Sequence, residues 1–332
     1  MRNLTEAAKP MLNLLKERPI LAVFEVCLRC NSSCGYCNLP LNQGRYELSR
    51  SEIMRVFGHL YGEGLRLLFI QGGEPLLRRD LADILEDLAG IGLSLTLITN
   101  GTKLTPELVD RLAPLPLSYS ISLDTLDRDR YRQIRGADQL EQVLTGISRL
   151  AAAKNPKYLT CIVSEVNRGD VFDVLRFARS RGFIPVVGAY HWGLDRYGKV
   201  DLTLQYERAQ AAALFRSVAQ SGLVPRGYYR QYLQDNIDWL EGGALDRCDA
   251  GRYSIAIDAS GNVAPCLALP AAGNLLESSL SEILARFDRS RIEACSARSS
   301  CNMLCSRVVG SVLRHPIAAL RTPLSVAPEV AL

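Results

Sequence analysis

Three cysteines in one short segment are the residues of this sequence best suited to chemistry. Cys30, Cys34 and Cys37 are separated by three and then two residues, so one loop supplies three thiolates. A cubane iron–sulfur cluster has four irons, and three thiolates leave one iron with an open coordination position. An open iron can bind a small molecule in addition to carrying electrons. The spacing therefore favours a [4Fe–4S] cluster that takes part in a reaction.

A fourth cysteine, Cys27, keeps two simpler interpretations open. With it the series becomes Cys-x2-Cys-x3-Cys-x2-Cys, which could close a four-thiolate zinc site or a ferredoxin-like cluster. However, Cys27 lies in line with Phe24 and Val26 at the end of a predicted strand, where packing explains it. Structural zinc also usually pairs two Cys-x2-Cys units across a longer loop than this one.

The length and composition are typical of a folded protein that is large enough to be stable without a disulfide framework. The chain has 332 residues, 48% of them hydrophobic and 22% charged, and a formal net charge of +4. Its Lys and Arg residues form no run that would predict nucleic-acid binding. No apolar segment approaches the ~20 residues that span a bilayer, and the start lacks the apolar centre of a secretory signal. We therefore expect a cytoplasmic protein whose ten cysteines are explained by metal centres.

Short apolar runs alternate with longer helical patterns from residue 20 onward. Ser49 and Glu52 predict a capping box at the start of the first of these helices. Val/Ile/Leu-rich strands that alternate with helices predict a parallel sheet covered on both faces. Six such units predict an α/β fold with a partial (β/α)6 TIM-like barrel, an open doubly wound sheet being the alternative. In either fold the reactive groups belong at the C-terminal ends of the strands. Strands are predicted at 20–26, 65–71, 93–99, 117–123, 158–166 and 183–190.

The pattern changes after about residue 200, where helices at 202–220 and 228–240 are predicted and a β-hairpin follows around a turn at 259–262. A small segment rich in cysteine has little core of its own, so a metal centre would stabilise it. We therefore predict a small C-terminal α+β domain that holds a metal centre. The predicted parts are an N-terminal arm (1–19), the barrel (20–200), a helical connection (201–244), the small C-terminal domain (245–310) and a tail (311–332).

Further motifs resemble those of the radical S-adenosylmethionine (SAM) superfamily. The cysteine motif is similar to the family's cluster motif, including the aromatic Tyr36 before the third cysteine. The segment 72–75, Gly-Gly-Glu-Pro after Gln71, resembles the segment that holds the SAM amino group. Arg135 resembles the residue that meets the SAM carboxylate. Together the matches run in order through residues 20–190. The cofactor-binding residues that the resemblance implies are Tyr36, Gln71, Gly72, Gly73, Glu74, Asn100, Ser122, Asp124 and Arg135.

The resemblance implies both a chemistry and its partners. SAM would bind the open iron through its amino and carboxylate groups, and one electron from the reduced cluster would cleave it to methionine and a 5′-deoxyadenosyl radical. That radical would abstract hydrogen from an unactivated C–H bond. The electron would come from a reductant protein such as a flavodoxin or a ferredoxin. A barrel interior that excludes water suits chemistry of this kind.

The second group of cysteines resembles the auxiliary-cluster extension of the same superfamily, the SPASM domain or its shorter twitch form. The full two-cluster pattern has a cysteine where this chain has Ile292, and another beyond Cys305 where it has none. Five thiolates complete one [4Fe–4S] cluster but not two. We therefore predict one auxiliary cluster on Cys248, Cys266, Cys305 and either Cys295 or Cys301, with structural zinc at the same residues as the alternative.

The substrate is the least determined part of the sequence-based prediction. Tyr190 and His191 follow the sixth strand with Trp192 and Gly193 and are expected to line the adenosine or substrate pocket; Glu165 and Asp195 are expected near its rim. Many relatives with such extensions modify peptides and carry a recognition module before the barrel, where only some twenty residues precede strand one here. A small metabolite, nucleoside, sugar or lipid is therefore expected, with a peptide as the alternative.

Two further interpretations stay open from the sequence alone. The first twenty residues and the tail are suited to a peripheral membrane contact, although core packing is the commoner use of such stretches. A non-catalytic iron–sulfur electron carrier or a zinc-stabilised binding protein is the remaining alternative to an enzyme, but it would leave the SAM-like motifs unexplained.

Overall fold

Nine strands join in one sheet within residues 4–191, 201–323 and 325, the part of the chain that this computed structural model describes. The strands are β1 (Leu21–Cys27), β2 (Leu67–Gly72), β3 (Ser94–Thr99), β4 (Leu117–Ser122), β5 (Lys157–Val163), β6 (Ile184–Ala189), β7 (Ser254–Ile257), β8 (Asn262–Ala264) and β9 (Gly273–Asn274). Their order in the sheet is β6-β5-β4-β3-β2-β1-β7-β8-β9. Strands β1 to β6 pair in parallel with their sequence neighbours, as expected for six successive β/α units.

Helices connect the strands and form the C-terminal part of the chain. They are α1 (Leu4–Leu15), α2 (Arg50–Gly62), α3 (Leu81–Gly90), α4 (Pro106–Leu112), α5 (Arg128–Arg135), α6 (Leu140–Leu150), α7 (Val171–Ser180), α8 (Arg208–Gln220), α9 (Tyr228–Leu240), α10 (Leu280–Ala285), α11 (Arg289–Ala297), α12 (Val308–Arg314) and α13 (Pro316–Leu320). The predicted capping box is present, because the Ser49 and Glu52 side chains each bond the other's backbone N–H at the start of α2.

Burial along the strands reflects an interior that is hollow at one end. Strands β1 and β6 are buried at every position, whereas buried residues alternate with less buried ones along β2 to β5. The partly buried positions include Ser120 and Ser122, which line a cavity inside the curved sheet. The predicted α/β fold with a partial barrel is confirmed. The alternating burial along the strands differs from the continuous apolar runs that the sequence predicts.

The C-terminal hairpin extends the barrel sheet. Strand β7 pairs in parallel with β1, with Leu21 opposite Ser254 and Phe24 opposite Ile257, and β8 returns antiparallel to β7. The predicted hairpin across 253–266 is present, with Gly261 at φ 88° in its turn. This pairing places the segment that carries the second cysteine group next to β1, the strand that the first cysteine group follows.

The two ends of the chain carry exposed apolar side chains on helices. In α1, Met11 and Leu15 are exposed while Asn13 is buried and donates to the backbone carbonyls of Pro19 and Glu63. Ile317 and Leu320 are exposed in α13. The peripheral membrane contact stays a prediction. Among the described residues, none of the helices has the length and apolar character that a membrane-spanning segment requires.

Candidate functional site

A cavity of about 400 Å³ opens at the C-terminal ends of the barrel strands. Its wall combines the loop after β1, the ends of β2 to β6 and the segment 302–305 of the auxiliary part. This is the end of the barrel at which parallel α/β folds place their reactive groups. Of the predicted site residues, those that line the cavity are Cys30, Cys34, Tyr36, Cys37, Gln71, Gly72, Gly73, Glu74, Asn100, Ser122, Arg135 and Cys305.

The loop that carries the first three cysteines is held by the end of α5. Ser33 N–H donates to the Arg135 carbonyl at 3.0 Å, and Gly35 N–H donates to the Ile134 carbonyl at 3.1 Å. These bonds satisfy carbonyls that the helix end leaves open. Gly136 follows at φ 66°, and a Cβ there would lie 2.4 Å from the Ser33 carbonyl oxygen. Helix α5 and the cysteine loop are therefore in backbone contact.

The donor set on this loop fits an iron–sulfur cluster with one open iron. All three thiols lie on one wall of the cavity. Burial raises the pKa of Cys30, and it raises that of Cys37 to about 11, so these two thiols keep their protons until a metal replaces them. No three His, Cys, Asp or Glu side chains among the described residues are grouped tightly enough to hold a single metal ion.

Cys27 lies apart from the three thiols of the loop. It ends β1, is fully buried and does not belong to the cavity wall; its Sγ donates to the Glu74 carbonyl at 3.3 Å. Burial raises the pKa of Cys27 to about 12. The position supports the packing interpretation over a fourth ligand.

The paired glycines at the end of β2 are required by backbone contacts. Gly73 N–H donates to the Cys27 carbonyl at 2.9 Å, and Glu74 N–H donates to the Arg29 carbonyl at 2.8 Å. A Cβ on Gly73 would lie 2.2 Å from the Arg29 carbonyl oxygen. A side chain at Gly73 would therefore displace the cysteine loop, which is a different consequence from the intrusion on a ligand that the motif alone suggests.

Glu74 joins the ends of two strands and leaves little of its carboxylate free. It is buried and accepts hydrogen bonds from the Thr99 hydroxyl at 2.5 Å, the Asn100 N–H at 2.8 Å and the Leu76 N–H at 3.0 Å. Burial raises the pKa of Glu74, while these donors oppose the shift. The Asn100 amide in turn donates to Asn31 in the cysteine loop at 2.8 Å. This network fixes the cavity wall between β2 and β3.

Arg135 is held at the wall by an ion pair. Its Nη2 lies 2.6 Å from Oδ2 of Asp124, and both side chains are buried. Its guanidinium carbon lies 5.9 Å from the centre of the Tyr36 ring. Asp124 itself is not part of the cavity wall, unlike the other predicted cofactor-binding residues; its Oδ1 accepts from Ile162 N–H at 2.9 Å. The structure thus gives Asp124 the position of a residue that orients Arg135.

The second cysteine group reaches the same cavity through Cys305. Burial raises the pKa of Cys305 to about 12 and that of Cys248 to about 11; the charges of Cys248 and Cys266 both act on Cys305. The charge of Cys248 also raises the pKa of Cys301. A hydrogen bond between Cys295 and Cys301 lowers the pKa of Cys295 and raises that of Cys301. Cys248, Cys266, Cys301 and Cys305 thus influence one another's ionisation, and Cys295 is linked to them through Cys301.

His191 lies in the wall as predicted, and it is one of several residues at the end of the cavity beside Cys305. Its ring centre is 4.4 Å from that of Trp239, and burial lowers the pKa of His191 to about 4, so the imidazole is neutral at pH 7. Trp192, Gly193 and Asp195 lie outside the described residues. Glu165 pairs with Arg168 at 3.0 Å in a separate surface cleft.

Tyr232 and Asn302 are among the lining residues that escaped the sequence-based prediction. Tyr232 reaches the cavity from α9, and Asn302 belongs to the auxiliary part. Tyr232 reads in the sequence as one apolar position of an amphipathic helix. Asn302 follows a cysteine in a polar segment, and no sequence signal separates it from a surface residue.

Comparison with known families identifies both halves of the site. The radical SAM superfamily matches residues 24–178, and the SPASM family, an iron–sulfur cluster-binding domain, matches residues 248–307. The two matches cover both cysteine groups and confirm the predicted cofactors, which are iron–sulfur clusters and SAM. The assignment of individual ligands remains a prediction.

Relatives with curated names are similar over different shares of the chain. A GTP 3',8-cyclase of Aliarcobacter butzleri is 30% identical over 253 residues, 72% of this chain and 77% of that protein. A PqqA peptide cyclase of Rhizobium meliloti is 28% identical over 302 residues, 84% of this chain and 76% of that protein. A "Probable GTP 3',8-cyclase" of Pyrococcus abyssi is 34% identical over 152 residues, 45% of this chain, and the chain spans about half (49%) of that relative's length.

The fold is also similar to that of solved structures. The crystal structure of Streptococcus suis SuiB bound to S-adenosylmethionine superposes with a TM-score of 0.68 at 18% identity, over 89% of this chain and 72% of that one. At this identity the similarity concerns the fold. Taken with the family matches and the Aliarcobacter relative, it means that the chain belongs to the radical SAM superfamily and carries a SPASM-type iron–sulfur cluster-binding domain.

Proposed function

We propose that this protein cleaves SAM reductively and uses the resulting radical to abstract hydrogen from a C–H bond of a substrate held between two iron–sulfur clusters. The observation that carries the proposal is that one cavity is lined by Cys30, Cys34 and Cys37, by Arg135 and by Cys305. A reduced [4Fe–4S] cluster with an open iron supplies the electron for SAM cleavage. The donor would be a reductant protein such as a flavodoxin or a ferredoxin.

The residues of this chain have separate tasks in the proposal. Cys30, Cys34 and Cys37 hold the cluster that binds SAM. Arg135, charged and already oriented by Asp124, pairs with the SAM carboxylate. The backbone at 72–74 approaches the SAM amino group, which the close packing of these glycines on the cysteine loop supports.

We propose one auxiliary [4Fe–4S] cluster on Cys248, Cys266, Cys301 and Cys305. The mutual electrostatic influence of these thiols supports this set, and the wall position of Cys305 supports a cluster that borders the substrate space. A cluster there would also link the short hairpin to the segment 295–305 and so stabilise both against the sheet.

The preferred substrate is a small metabolite, nucleoside, sugar or lipid in a biosynthetic pathway. The similarity to GTP cyclases supports a small molecule. A triphosphate is not favoured, because Arg135 is the single Lys or Arg in the described part of the cavity wall and it already pairs with Asp124. A peptide is the second candidate, supported by the similarity to the PqqA peptide cyclase over 84% of the chain.

A deuterium-transfer assay tests the proposal and separates the two candidates. Reduced, reconstituted enzyme is given SAM and an extract of cells grown in deuterated medium, split by ultrafiltration into small molecules and peptides. Hydrogen abstraction places deuterium in 5′-deoxyadenosine, which mass spectrometry detects. We expect label from the small-molecule fraction; label from the peptide fraction alone would favour a peptide maturase. Unlabelled product with both fractions, or equal label from enzyme with Cys30, Cys34 and Cys37 replaced by Ala, would contradict the proposal.

A further inference from the structure

The carboxamide of Asn302 is buried in the cavity region without a hydrogen-bond partner. Asn302 has no exposed surface, belongs to the cavity wall, and both its Oδ1 and its Nδ2 lack a partner. An unpaired buried amide costs free energy, and native proteins seldom retain one without a reason. Two other buried asparagines, Asn167 and Asn236, both donate and accept hydrogen bonds, whereas Asn155 donates through its Nδ2 and leaves only its Oδ1 without a partner.

The backbone around Asn302 is fixed, so its side chain is held beside the cavity. Its carbonyl accepts hydrogen bonds from the Tyr232 hydroxyl at 3.3 Å and from the imidazole of His191. The Trp239 indole donates to the Ser299 carbonyl at 2.9 Å a few residues earlier. The segment is therefore anchored on α9 and on the end of β6, which leaves the carboxamide as its unsatisfied group.

A second unsatisfied group stands beside the first. His191 uses one ring nitrogen to donate to Asn302, and its Nδ1 has no partner. In a neutral imidazole whose other nitrogen carries the proton, Nδ1 is an acceptor. Together the two side chains offer one carbonyl acceptor, an NH2 donor and a ring-nitrogen acceptor.

We infer that Asn302 and His191 form the substrate-recognition site and bind a neutral amide group of the substrate. These atoms are covered in the unliganded protein, so the Asn302 carboxamide turns into the cavity on binding. Its Nδ2 then donates to the amide carbonyl, and its Oδ1 or the His191 Nδ1 accepts from the amide N–H. This inference rests on the proposed function and deepens it by naming the substrate chemistry. An amide of this kind occurs in a peptide backbone and in the lactam edge of a nucleobase.

The charges of the cavity wall agree with a neutral partner. In the described wall, the carboxylate of Glu74 is bound by three donors, and the cation of Arg135 is bound by Asp124 and assigned to SAM. The guanidinium of Arg208, whose charge acts on His191, stacks on the Trp239 ring and is not part of the described cavity wall, so that wall offers a charged group at the Asn302 end no side chain of opposite charge.

Binding of small amide probes tests the inference. Reconstituted wild-type enzyme with SAM is titrated by calorimetry with N-acetylalanine methylamide and with uridine, which represent the peptide and nucleobase sources. The first probe methylated at both of its amide nitrogens and uridine methylated at its ring N–H serve as probes without the donor. We expect one of the two amides to bind about tenfold or more tightly than its donor-less analogue. The probe that binds identifies the source.

Matched variants assign that binding to Asn302. Asn302→Ala, and Asn302→Leu, which keeps a similar volume but removes the NH2 donors without burying a charge, are expected to weaken probe binding about tenfold or more while the melting temperature stays within a few degrees of wild type. Asn155→Ala is the control, because this buried amide donates to the carbonyls of Leu115 and Leu117 outside the cavity. It should lower the melting temperature and leave probe affinity unchanged.

Two outcomes would overturn the inference. One is wild-type enzyme that cleaves SAM but binds neither amide better than its analogue; the other is equal probe affinity in wild type and both Asn302 variants. If the wild-type preparation does not cleave SAM at all, the proposed function fails first and the recognition site fails with it.

Discussion

Arg135 and Asp124 form a buried ion pair, with Nη2 of the arginine 2.6 Å from Oδ2 of the aspartate. The arginine is the last residue of α5, and its backbone carbonyl accepts from Ser33 in the cysteine loop. The pair therefore links the end of β4, the end of α5 and the cysteine loop. One face of Arg135 is left in the cavity wall, where a carboxylate ligand can reach it.

Replacing Arg135 by Ala should weaken SAM binding and also lower stability. Loss of a charge-assisted contact of ~1.5–3 kcal/mol corresponds to a roughly 10- to 100-fold weaker SAM affinity. The uncompensated Asp124 carboxylate should cost about 3–5 kcal/mol of folding free energy. Isothermal titration with SAM and urea unfolding measure the two effects.

The double variant Arg135→Met/Asp124→Leu separates these effects, because it removes both buried charges. We expect it to regain much of the lost stability but not the SAM affinity. Arg130→Ala, an exposed arginine on the same helix that pairs with Asp170, should change neither. SAM affinity that is unchanged in Arg135→Ala would argue against a carboxylate at this position.

Replacing Gly73 by Ala should remove iron from the first cluster as well as weaken SAM binding. The new Cβ would meet the Arg29 carbonyl at 2.2 Å, so the cysteine loop must shift. Gly58→Ala in α2 is the control, since its Cβ would have open space, and it should stabilise the helix by about 0.5–1 kcal/mol. A Gly73→Ala protein with full iron content would refute this account of the paired glycines.

Replacing Cys27 by Ala should leave iron content and SAM cleavage intact. The thiol is fully buried, outside the cavity wall, and bonded to the Glu74 carbonyl. We expect a loss of stability of roughly 0.5–3 kcal/mol, typical of a buried truncation. Cys34→Ala provides the comparison and should lose the cluster. Equal iron loss in the two variants would restore the four-thiolate interpretation.

The auxiliary cysteines should differ in their effect on iron content. Two [4Fe–4S] clusters give ~8 iron and ~8 sulfide per chain. We expect Cys301→Ala to lose about half of this iron and Cys295→Ala to retain it. The reason is that the charge of Cys248 raises the pKa of Cys301, which indicates that these two thiols are close. The reverse result would exchange the two ligands. Stoichiometric zinc with about four iron would exclude the auxiliary cluster.

The strands and the cysteine loop were predictable because their signals are local. The six apolar runs correspond to β1–β6, and the spacing of Cys30, Cys34 and Cys37 survives in the wall of one cavity. Helix α5 was not predicted, and only Arg135 was singled out in its segment, since its sequence RDRYRQIR is polar and buries an arginine. Its burial depends on Asp124, which lies eleven positions away from Arg135 in the chain.

What could not be predicted depends on contacts between distant segments. The pairing of β1 with β7 joins residues more than two hundred positions apart, and it turns a separate auxiliary segment into a continuation of the barrel sheet. The role of Asn302 has the same origin, because its lack of a partner follows from how Tyr232 and His191 hold the backbone. Neither feature leaves a periodicity or a spacing in the sequence.

Formation of 5′-deoxyadenosine from SAM tests the central claim most directly. Anaerobically reconstituted protein is reduced with dithionite, given SAM without substrate, and assayed by chromatography. We predict slow release of 5′-deoxyadenosine and methionine by wild type and none by the variant in which Cys30, Cys34 and Cys37 are all Ala. Wild-type protein with intact clusters that neither binds SAM nor forms 5′-deoxyadenosine would contradict the account.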